Sequence, residues 1–258
     1  MTRILVVVPF PLDAEGLKNR KAQSAAVPLP AGWELVYRPV VCGPSSFMSP
    51  HDWGLMELAI FEAGATAQAD GFDAVCIDTM SDGGMHMLRS VLDIPVLGAG
   101  KASLLYSLTL GSRFSVLAQW DLALPRYRKA IREYGFDRQC ASIRSIDTPP
   151  DFSALLGGKE DKVFPHMRDV ALRCIEEDGA EVICLGSTTM HQAATYLAEH
   201  LPVPVVNPGP VSYKLIETFL ALGLSHGREA YPPPVENRVA MLQAMMRAGA
   251  AADKPRAG

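Results

Sequence analysis

Two stretches of the sequence place a hydroxyl side chain shortly after an apolar run. The first is DAVCIDTM at residues 73–80, and the second is EVICLGST at residues 181–188. When the two are aligned, Thr79 falls opposite Ser187, and the IPVL and VPVV segments that follow also correspond, with one extra residue in the second copy. Two copies of one unit, each with a hydroxyl at the same place, predict a site built between two halves.

A hydroxyl at the end of a parallel strand is well placed to bind an anion. In α/β proteins, ligands bind at the carboxyl ends of strands, where the chain turns into a helix. Free N–H groups at a helix start, together with a hydroxyl, can bind a carboxylate or an enolate-like anion. We therefore expect a small carbonyl or carboxylate substrate between Thr79 and Ser187, and contacts to it from their neighbours Met80, Ser81, Asp82, Thr188 and Thr189.

Helix capping is the simpler interpretation of these hydroxyls, since Ser, Thr and Asp accept hydrogen bonds from the free N–H groups at a helix start. Ser81 and Asp82 suit that role in the first copy, and the two threonines after Ser187 suit it in the second. Because Thr79 and Ser187 precede these positions, capping accounts for them less well.

Two histidines are candidate acids or bases. His86 follows Thr79 by seven residues, and His191 follows Ser187 by four, so each is expected about one turn into its helix. Either imidazole could exchange a proton with substrate or pair with a hydroxyl. A position at the surface or in helix packing is the alternative for both.

The two cysteines nearest the hydroxyls are expected to be structural. Cys76 and Cys184 each lie three residues before their hydroxyl, and side chains alternate along a strand, so thiol and hydroxyl point to opposite faces. We therefore predict that both thiols are small buried groups and not nucleophiles.

Short β-rich runs alternate with helical runs along the chain, which predicts an α/β fold with parallel sheets. Strands are expected at about 3–8, 33–41, 73–78, 95–97, 113–118, 139–146, 181–186 and 203–206. Apolar residues at helical spacing predict helices within 52–70, 121–134, 162–178 and 211–222, and a final helix begun by prolines within 230–249. Residues 151–161 are expected to form a loop or a short helix.

Composition excludes several function classes. The chain has 258 residues, a net charge of −4 and no basic run, which gives no case for binding nucleic acid or a membrane surface. No apolar run approaches the roughly 20 residues of a membrane span. The five cysteines form no CxxC pair and have no spacing typical of metal ligands, so no metal site is expected. This use of cysteine favours a cytoplasmic location. No nucleotide motif is present either, so no cofactor is expected.

The chain resembles the aspartate/glutamate/hydantoin racemase superfamily, most closely its hydantoin and allantoin racemase branch. The resemblance covers most of residues 1–225. It is carried, in chain order, by the segments RILVVVP, CGPSS, DAVCIDTMSDGGM, LDIPVLGAG, FSVLA, YGF, VICLGSTTM and VPVVNP. It implies a cofactor-independent isomerase with two pseudo-symmetric, Rossmann-like (flavodoxin-like) lobes, an active site in the cleft between them, and a homo-oligomer. With the internal repeat, it predicts a first lobe of residues 1–98 plus 209–258 and a second lobe of 99–208.

In that family each lobe contributes one catalytic cysteine, and the two thiols remove and return a proton alpha to a carbonyl. Here the corresponding positions hold Thr79 and Ser187. A thiol titrates near 8.5, whereas a hydroxyl has no comparable anionic population near neutral pH. Two hydroxyls are thus a poor replacement for two thiols, and the expected chemistry departs from standard racemisation of amino acids or hydantoins.

Other expected pocket positions depart from the family pattern as well. Where the family usually has Asn-Pro-Asn after the first strand, this chain has Val8, Pro9 and Phe10. Where it usually has carboxylate-binding threonines, this chain has Ala118, Gln119 and Trp120, and Ser46 in the CGPSS segment is a further expected contact. If the aromatic residues line the site and not the core, the substrate is not a simple zwitterionic amino acid.

Three alternative functions remain open at this point. An arylmalonate-decarboxylase-like lyase needs no base to start, because loss of carbon dioxide itself generates the carbanion. A non-catalytic carboxylate-binding protein needs neither acid nor base. Hydrolysis with Thr79 or Ser187 as nucleophile has less support, since no GxSxG motif surrounds either residue.

Overall fold

A computed structural model describes residues 1–44, 46–148 and 160–252 of the chain. These residues form two four-stranded, all-parallel sheets flanked by helices, which confirms the predicted α/β class. The strands are β1 Thr2–Val8, β2 Trp33–Pro39, β3 Ala74–Ile77, β4 Val96–Gly98, β5 Phe114–Ala118, β6 Cys140–Ser145, β7 Val182–Leu185 and β8 Val205–Val206. Every predicted strand is present, with ends that differ by at most two residues.

The two sheets have the same topology. The strand order is β2-β1-β3-β4 in the first sheet and β6-β5-β7-β8 in the second. The two central pairs also end alike: Asp78 N donates to Val7 O, and Gly186 N donates to Leu117 O, both at 2.9 Å. The repeat found in the sequence is therefore a repeat of whole sheets, with β3 equivalent to β7 and β4 to β8.

Helices cover both sheets. They are α1 Ala14–Ala22, α2 Pro50–Gly64, α3 Met85–Val91, α4 Ala99–Ser107, α5 Leu124–Tyr134, α6 Glu160–Glu176, α7 Ala193–His200, α8 Pro208–Ala221 and α9 Val239–Ala252. The central strands β1, β3, β5 and β7 are buried along almost their whole length, as expected for parallel strands with helices on both faces. None of the helices within the described ranges combines the length and hydropathy needed to cross a bilayer.

Two helices differ most from their predicted extents. Helix α2 begins at Pro50, because Ser49 and Asp52 form a capping box, and it ends at Gly64, six residues before the predicted end. The last helix is not begun by prolines. It starts at Val239, whose N–H donates to Asn237 Oδ1 at 2.9 Å. Most of the segment 151–161, predicted as a loop or short helix, lies outside the described residues.

The division of the chain into two lobes stays a prediction. Helix α8 contacts β3 and β4 of the first sheet, and α9 contacts α2 beside the same sheet. On these contacts we propose that residues 209–258 complete the first lobe, with 99–208 as the second.

Candidate active site

The carboxyl ends of the four central strands line one cleft. Its volume is about 640 Å³, a figure that includes the space at its mouth. Both sheets contribute to its wall, so the two halves of the sequence repeat meet here. The lining residues are Pro9, Phe10, Arg20, Phe47, Met48, Asp78, Thr79, Met80, Gln119, Trp120, Ala123, Arg126, Gly186, Ser187, Thr188 and Thr189.

The two hydroxyl turns have the same local geometry. Thr79 Oγ1 lies 3.2 Å from Ser81 Oγ and accepts a hydrogen bond from Ser81 N at 3.4 Å. Ser187 Oγ lies 2.7 Å from Thr189 Oγ1 and accepts from Thr189 N at 3.3 Å. In each turn a hydroxyl at the strand end thus pairs with the hydroxyl and the N–H two residues later, while the first hydroxyl still lines the cleft.

Capping accounts for Ser187 better than expected. Ser187 is itself the N-cap of a short 3-10 turn at Thr188–Met190, so its hydroxyl satisfies a backbone N–H. The helical structure begins one residue earlier than the sequence pattern indicated. The hydroxyl therefore has a structural role in addition to its place in the cleft wall.

A buried polar network joins the two hydroxyl turns. Arg20 Nη1 donates to Asp78 Oδ2 at 3.2 Å and to Thr188 Oγ1 at 2.8 Å, and Gln23 Nε2 donates to Asp78 Oδ2 at 3.0 Å. Asp78 Oδ1 is buried and has no hydrogen-bond partner. Burial raises the pKa of Asp78 above its ordinary value of 3.8, although Arg20 and Gln23 act in the opposite direction. A carboxyl group with one unpartnered oxygen therefore belongs to the cleft wall.

A second guanidinium group, that of Arg126 at the start of α5, also lines the cleft. Its Nε and Nη1 atoms are shielded from solvent and have no hydrogen-bond partner. The group lies over two aromatic rings, 5.6 Å from the ring centre of Phe47 and 5.2 Å from that of Tyr127. The Tyr127 hydroxyl donates to Gly186 O, which ties α5 to the second hydroxyl turn.

The thiols lie where the strand alternation predicted. Cys76 and Cys184 are buried in β3 and β7, and neither lines the cleft. Burial raises the pKa of the Cys184 thiol to about 12 and also raises the pKa of the Cys76 thiol above its ordinary value. At neutral pH both are neutral core groups, as predicted.

Neither histidine is among the cleft-lining residues. His86 is the second residue of α3, is exposed, and has its ring centre 5.5 Å from that of Tyr231 at a separate hollow. His191 follows the 3-10 turn and precedes α7, so it is not one turn into a helix as predicted. Burial and then the charge of Arg20 lower the pKa of His191. The geometry gives no support to either imidazole as the base.

Asp82, an expected substrate contact, caps a helix other than the predicted one. Its carboxylate accepts from Gly100 N at 2.7 Å and Lys101 N at 2.6 Å at the start of α4, and from Tyr134 Oη at 2.5 Å. Helix α3, which follows Asp82 directly, is instead preceded by Gly84 in the left-handed conformation with φ 73°. The side chain of Asp82 turns away from the cleft, because the sheet brings the start of α4 next to it. Ser81 likewise does not line the cleft.

Three other expected contacts lie outside the cleft wall. Val8 and Ala118 are the last residues of β1 and β5 and are fully buried. Ser46 Oγ donates to Asp52 Oδ2 at 2.8 Å and so supports the capping box of α2. Eight of the expected site residues do line the cleft: Phe10, Thr79, Met80, Gln119, Trp120, Ser187, Thr188 and Thr189.

Sequence reasoning missed Arg20, Asp78, Phe47 and Arg126. Asp78 had a usable signal, because a carboxyl group directly after a buried strand and directly before Thr79 belongs to the same strand end. The two arginines had none, since only the packing of α1 and α5 decides which of their residues face the cleft. Phe47 lies in the connection between β2 and α2, where no periodicity applies.

The geometry can bind an anion from several sides. The two strand-end hydroxyls, the buried guanidinium of Arg20 and the guanidinium of Arg126, with its two unpartnered nitrogens, share the cleft with the carboxyl group of Asp78. Within the described residues, no group of three or more His, Cys, Asp and Glu side chains is arranged to hold a metal ion.

Comparison with known proteins shows which family the chain belongs to and which solved structures share its fold. The family model described as Asp/Glu/Hydantoin racemase matches residues 17–216. A hydantoin racemase from Pseudomonas sp. (strain NS671) is 32% identical over 187 residues, 70% of this chain and 72% of the relative. The structure of an allantoin racemase from Klebsiella pneumoniae has a TM-score of 0.82 at 26% identity and covers 92% of this chain and 95% of its own. Arylmalonate decarboxylase, at 18% identity and a TM-score of 0.57, covers 89% of this chain and 96% of its own and shares the fold. The chain belongs to the Asp/Glu/hydantoin racemase family.

Proposed function

We propose that the protein is a cofactor-independent isomerase that acts at a carbon alpha to a carbonyl or carboxylate group of a small molecule. The observation that carries this proposal is that Thr79 and Ser187, at equivalent strand ends of the two sheets, line the same cleft. In this proposal they take the positions that the catalytic cysteines hold in the family. Each hydroxyl would lie on one side of the reacting carbon.

The hydroxyl turns would stabilise the carbanion or enolate rather than generate it. Hydroxyl and N–H donors aimed at a developing negative charge act strongly in a site from which water is excluded. The guanidinium groups of Arg20 and Arg126 add positive charge to the same cleft. Removal of one such donor typically lowers turnover by about 10²–10³-fold.

Asp78 is our candidate for the group that moves the proton. It supplies the carboxyl group of the cleft wall, its Oδ1 is unpartnered, and burial raises its pKa toward the range in which a carboxyl can act as base and acid. Arg20 and Gln23 hold the other oxygen and fix the orientation of the group.

Decarboxylation is the second candidate, and one observation favours it. Among the described residues that line the cleft there is neither a thiol nor an imidazole, so removal of an alpha proton depends on Asp78. Loss of carbon dioxide from a malonate-type acid needs no base and uses the same anion stabilisation. A donor of one proton to the resulting carbanion would complete the reaction.

The test is solvent exchange at the alpha carbon. The protein is incubated in deuterated buffer with 2-substituted carboxylic acids, substituted malonates and 5-substituted hydantoins, and the alpha proton is followed by proton NMR. We expect loss of the alpha-proton signal on at least one compound, and no loss with the double variant Thr79→Ala, Ser187→Ala. Release of carbon dioxide from malonates alone would establish the second candidate. Binding without exchange or carbon dioxide release would contradict both and indicate a non-catalytic carboxylate-binding protein.

The homo-oligomer and the cytoplasmic location implied at the outset stay predictions. Light scattering on the purified protein tests the first: a mass at or above twice 27.9 kDa is expected, and a monomer would contradict it.

A further inference from the structure

Arg126 is a cleft residue whose guanidinium makes no ion pair within the described residues. Its Nε and Nη1 are buried without a hydrogen-bond partner, and its Nη2 makes a contact of 3.5 Å with the hydroxyl of Tyr127. In the part of the chain that the structure describes, no carboxylate pairs with this guanidinium. The side chain is half-buried, and its guanidinium carbon lies 5.6 Å from the ring centre of Phe47, which lines the same cleft.

Arg20 shows that an arginine in this cleft can have a carboxylate partner from the protein itself. Arg20 lies on the helix after β1, as Arg126 lies on the helix after β5. Arg20 donates to Asp78 and to Thr188, whereas the residue equivalent to Asp78 in the second sheet is Gly186, which has no side chain to offer. The guanidinium of Arg20 pairs with a carboxylate of the protein, whereas that of Arg126 has no such pair among the residues that the structure describes.

Charged donors without partners are costly when they are shielded from water. A buried hydrogen-bonding group that is left unsatisfied costs about 1–3 kcal/mol, and more when it is charged. The partner that fits a guanidinium best is a carboxylate, whose two oxygens accept two parallel N–H bonds. A ligand carboxylate at Arg126 would therefore supply the hydrogen-bond acceptors that Nε and Nη1 lack among the described residues.

The other residues of the cleft wall indicate the chemical character of the remainder of that ligand. The rings of Phe10 and Phe47 stack with centroids 4.4 Å apart and planes inclined by 17°, and Trp120 and Met48 line the same cleft. Such a surface suits an apolar, flat group. A zwitterionic amino acid would bring an ammonium group as well, and the charge of the cleft carboxyl, Asp78, is already compensated by Arg20.

We propose that Arg126 binds the carboxylate of a small monocarboxylic acid with an aromatic or other apolar substituent, and that this class of compound is the substrate. The inference rests on the proposed function for the reaction but not for the binding. It distinguishes the ligand from a hydantoin, which carries no carboxylate, and from a free amino acid.

The test compares phenylacetate with its neutral isostere phenylacetamide and with phenylalanine by isothermal titration calorimetry. Because a hydrogen bond to a charged group is worth about 1.5–3 kcal/mol, the wild type is expected to bind phenylacetate about 10–100-fold more tightly than phenylacetamide. Phenylalanine should bind more weakly than phenylacetate. Equal binding of acid and amide, or no binding of phenylacetate, would overturn the proposal without recourse to any variant.

Variants test whether Arg126 causes the preference for phenylacetate over phenylacetamide. Arg126→Met should abolish the preference for the acid, and Arg126→Lys should restore part of it because the charge is kept. Lys129→Met is the matched control: it removes a charge from the same helix at an exposed position outside the cleft and should change nothing. Undiminished binding of phenylacetate by a folded Arg126→Met protein would contradict the assignment.

The two proposals fail in different ways. Binding of phenylacetate through Arg126, with no alpha-proton exchange on any compound of the panel, would refute the proposed function alone. Exchange on a neutral substrate at a rate that Arg126→Met leaves unchanged would refute the carboxylate site alone.

Discussion

At the scale of single residues, the two strand-end hydroxyls are the centre of the site. Thr79 and Ser187 make the same pair of local contacts and share one cleft. We predict that Thr79→Ala and Ser187→Ala each lower the rate of alpha-proton exchange by about 10²-fold, since each removes one donor to the developing anion. The measurement is the initial exchange rate by NMR. Ser90→Ala, which removes a hydroxyl on α3 remote from the cleft, is the control. A rate within twofold of wild type in both hydroxyl variants would show that the turns serve only as caps.

Asp78 gives the site a predicted pH dependence. A base must be deprotonated to act, and burial raises the pKa of Asp78 above 3.8, so the rate should rise with pH through that raised pKa and then level off. Asp78→Asn should remove this limb and slow exchange by about 10²–10⁴-fold. The pH–rate profile of the variant checks this, with Asp137→Asn at an exposed position as the control. An unchanged profile in Asp78→Asn would exclude Asp78 as the base.

Sequence patterns predicted strand-end residues well and helix residues poorly. Thr79, Ser187 and Trp120 follow buried strands, and the chain direction alone places them at the cleft. Arg126 and His86 lie on helices, where the facing depends on how the helix packs. The first was therefore missed, and the second was assigned to a cleft that it does not reach.

At the scale of elements, the start of α4 is packed tightly against the first hydroxyl turn. A Cβ at Gly100 would lie 2.3 Å from Met80 O, which is main chain and cannot yield. We predict that Gly100→Ala lowers the free energy of unfolding by about 1–3 kcal/mol, as overpacking does. Gly54→Ala, inside α2 with nothing within 4 Å, should instead raise it by about 0.5–1 kcal/mol. Urea denaturation measures both. Equal effects in the two variants would contradict the close approach.

The capping box of α2 makes a second prediction at this scale. The hydrogen bond from Ser46, with His51 and two backbone amides, lowers the pKa of Asp52 from 3.8 to about 2. The ionised form is thus favoured in the folded protein, and its stabilisation is complete above about pH 4 and is lost as pH falls through about 2. Asp52→Asn should cost about 1 kcal/mol at pH 7, and the difference from wild type should shrink toward pH 2. Denaturation at both pH values tests this, with the exposed Asp169→Asn as control. A difference that stays constant with pH would show that ionisation of Asp52 plays no part.

The strands were predictable because a buried parallel strand is a short, continuous apolar run, as in β1 and β7. Some helices were harder. Helix α1 has the sequence AEGLKNRKA, with no apolar face to detect, and it forms because Asp13 caps it and because the buried Arg20 bonds to Asp78. Such tertiary contacts are not visible in a local pattern.

At the scale of the whole molecule, the two sheets are joined across the cleft by polar contacts. Arg20 reaches Thr188 from the first sheet, and Tyr134 on α5 reaches Asp82 in the opposite direction. The two halves have the same strand order, but they contribute different side chains to the cleft. With Asp78 in one half and Gly186 in the other, Arg20 has a carboxylate partner, and Arg126 has none within the described part of the chain. The internal repeat was visible in the sequence, but this asymmetry in charge required the coordinates of both halves together.

The most direct test of the site is a crystal structure of the wild-type protein with phenylacetate. We predict one ligand in the cleft, with its carboxylate on Arg126 and its alpha carbon between Thr79 Oγ1 and Ser187 Oγ, each at roughly 3–4 Å, the separation of reacting groups held for catalysis. A ligand that contacts only one of the two hydroxyls, or that lies outside the cleft, would contradict the claim that both act on a single anion.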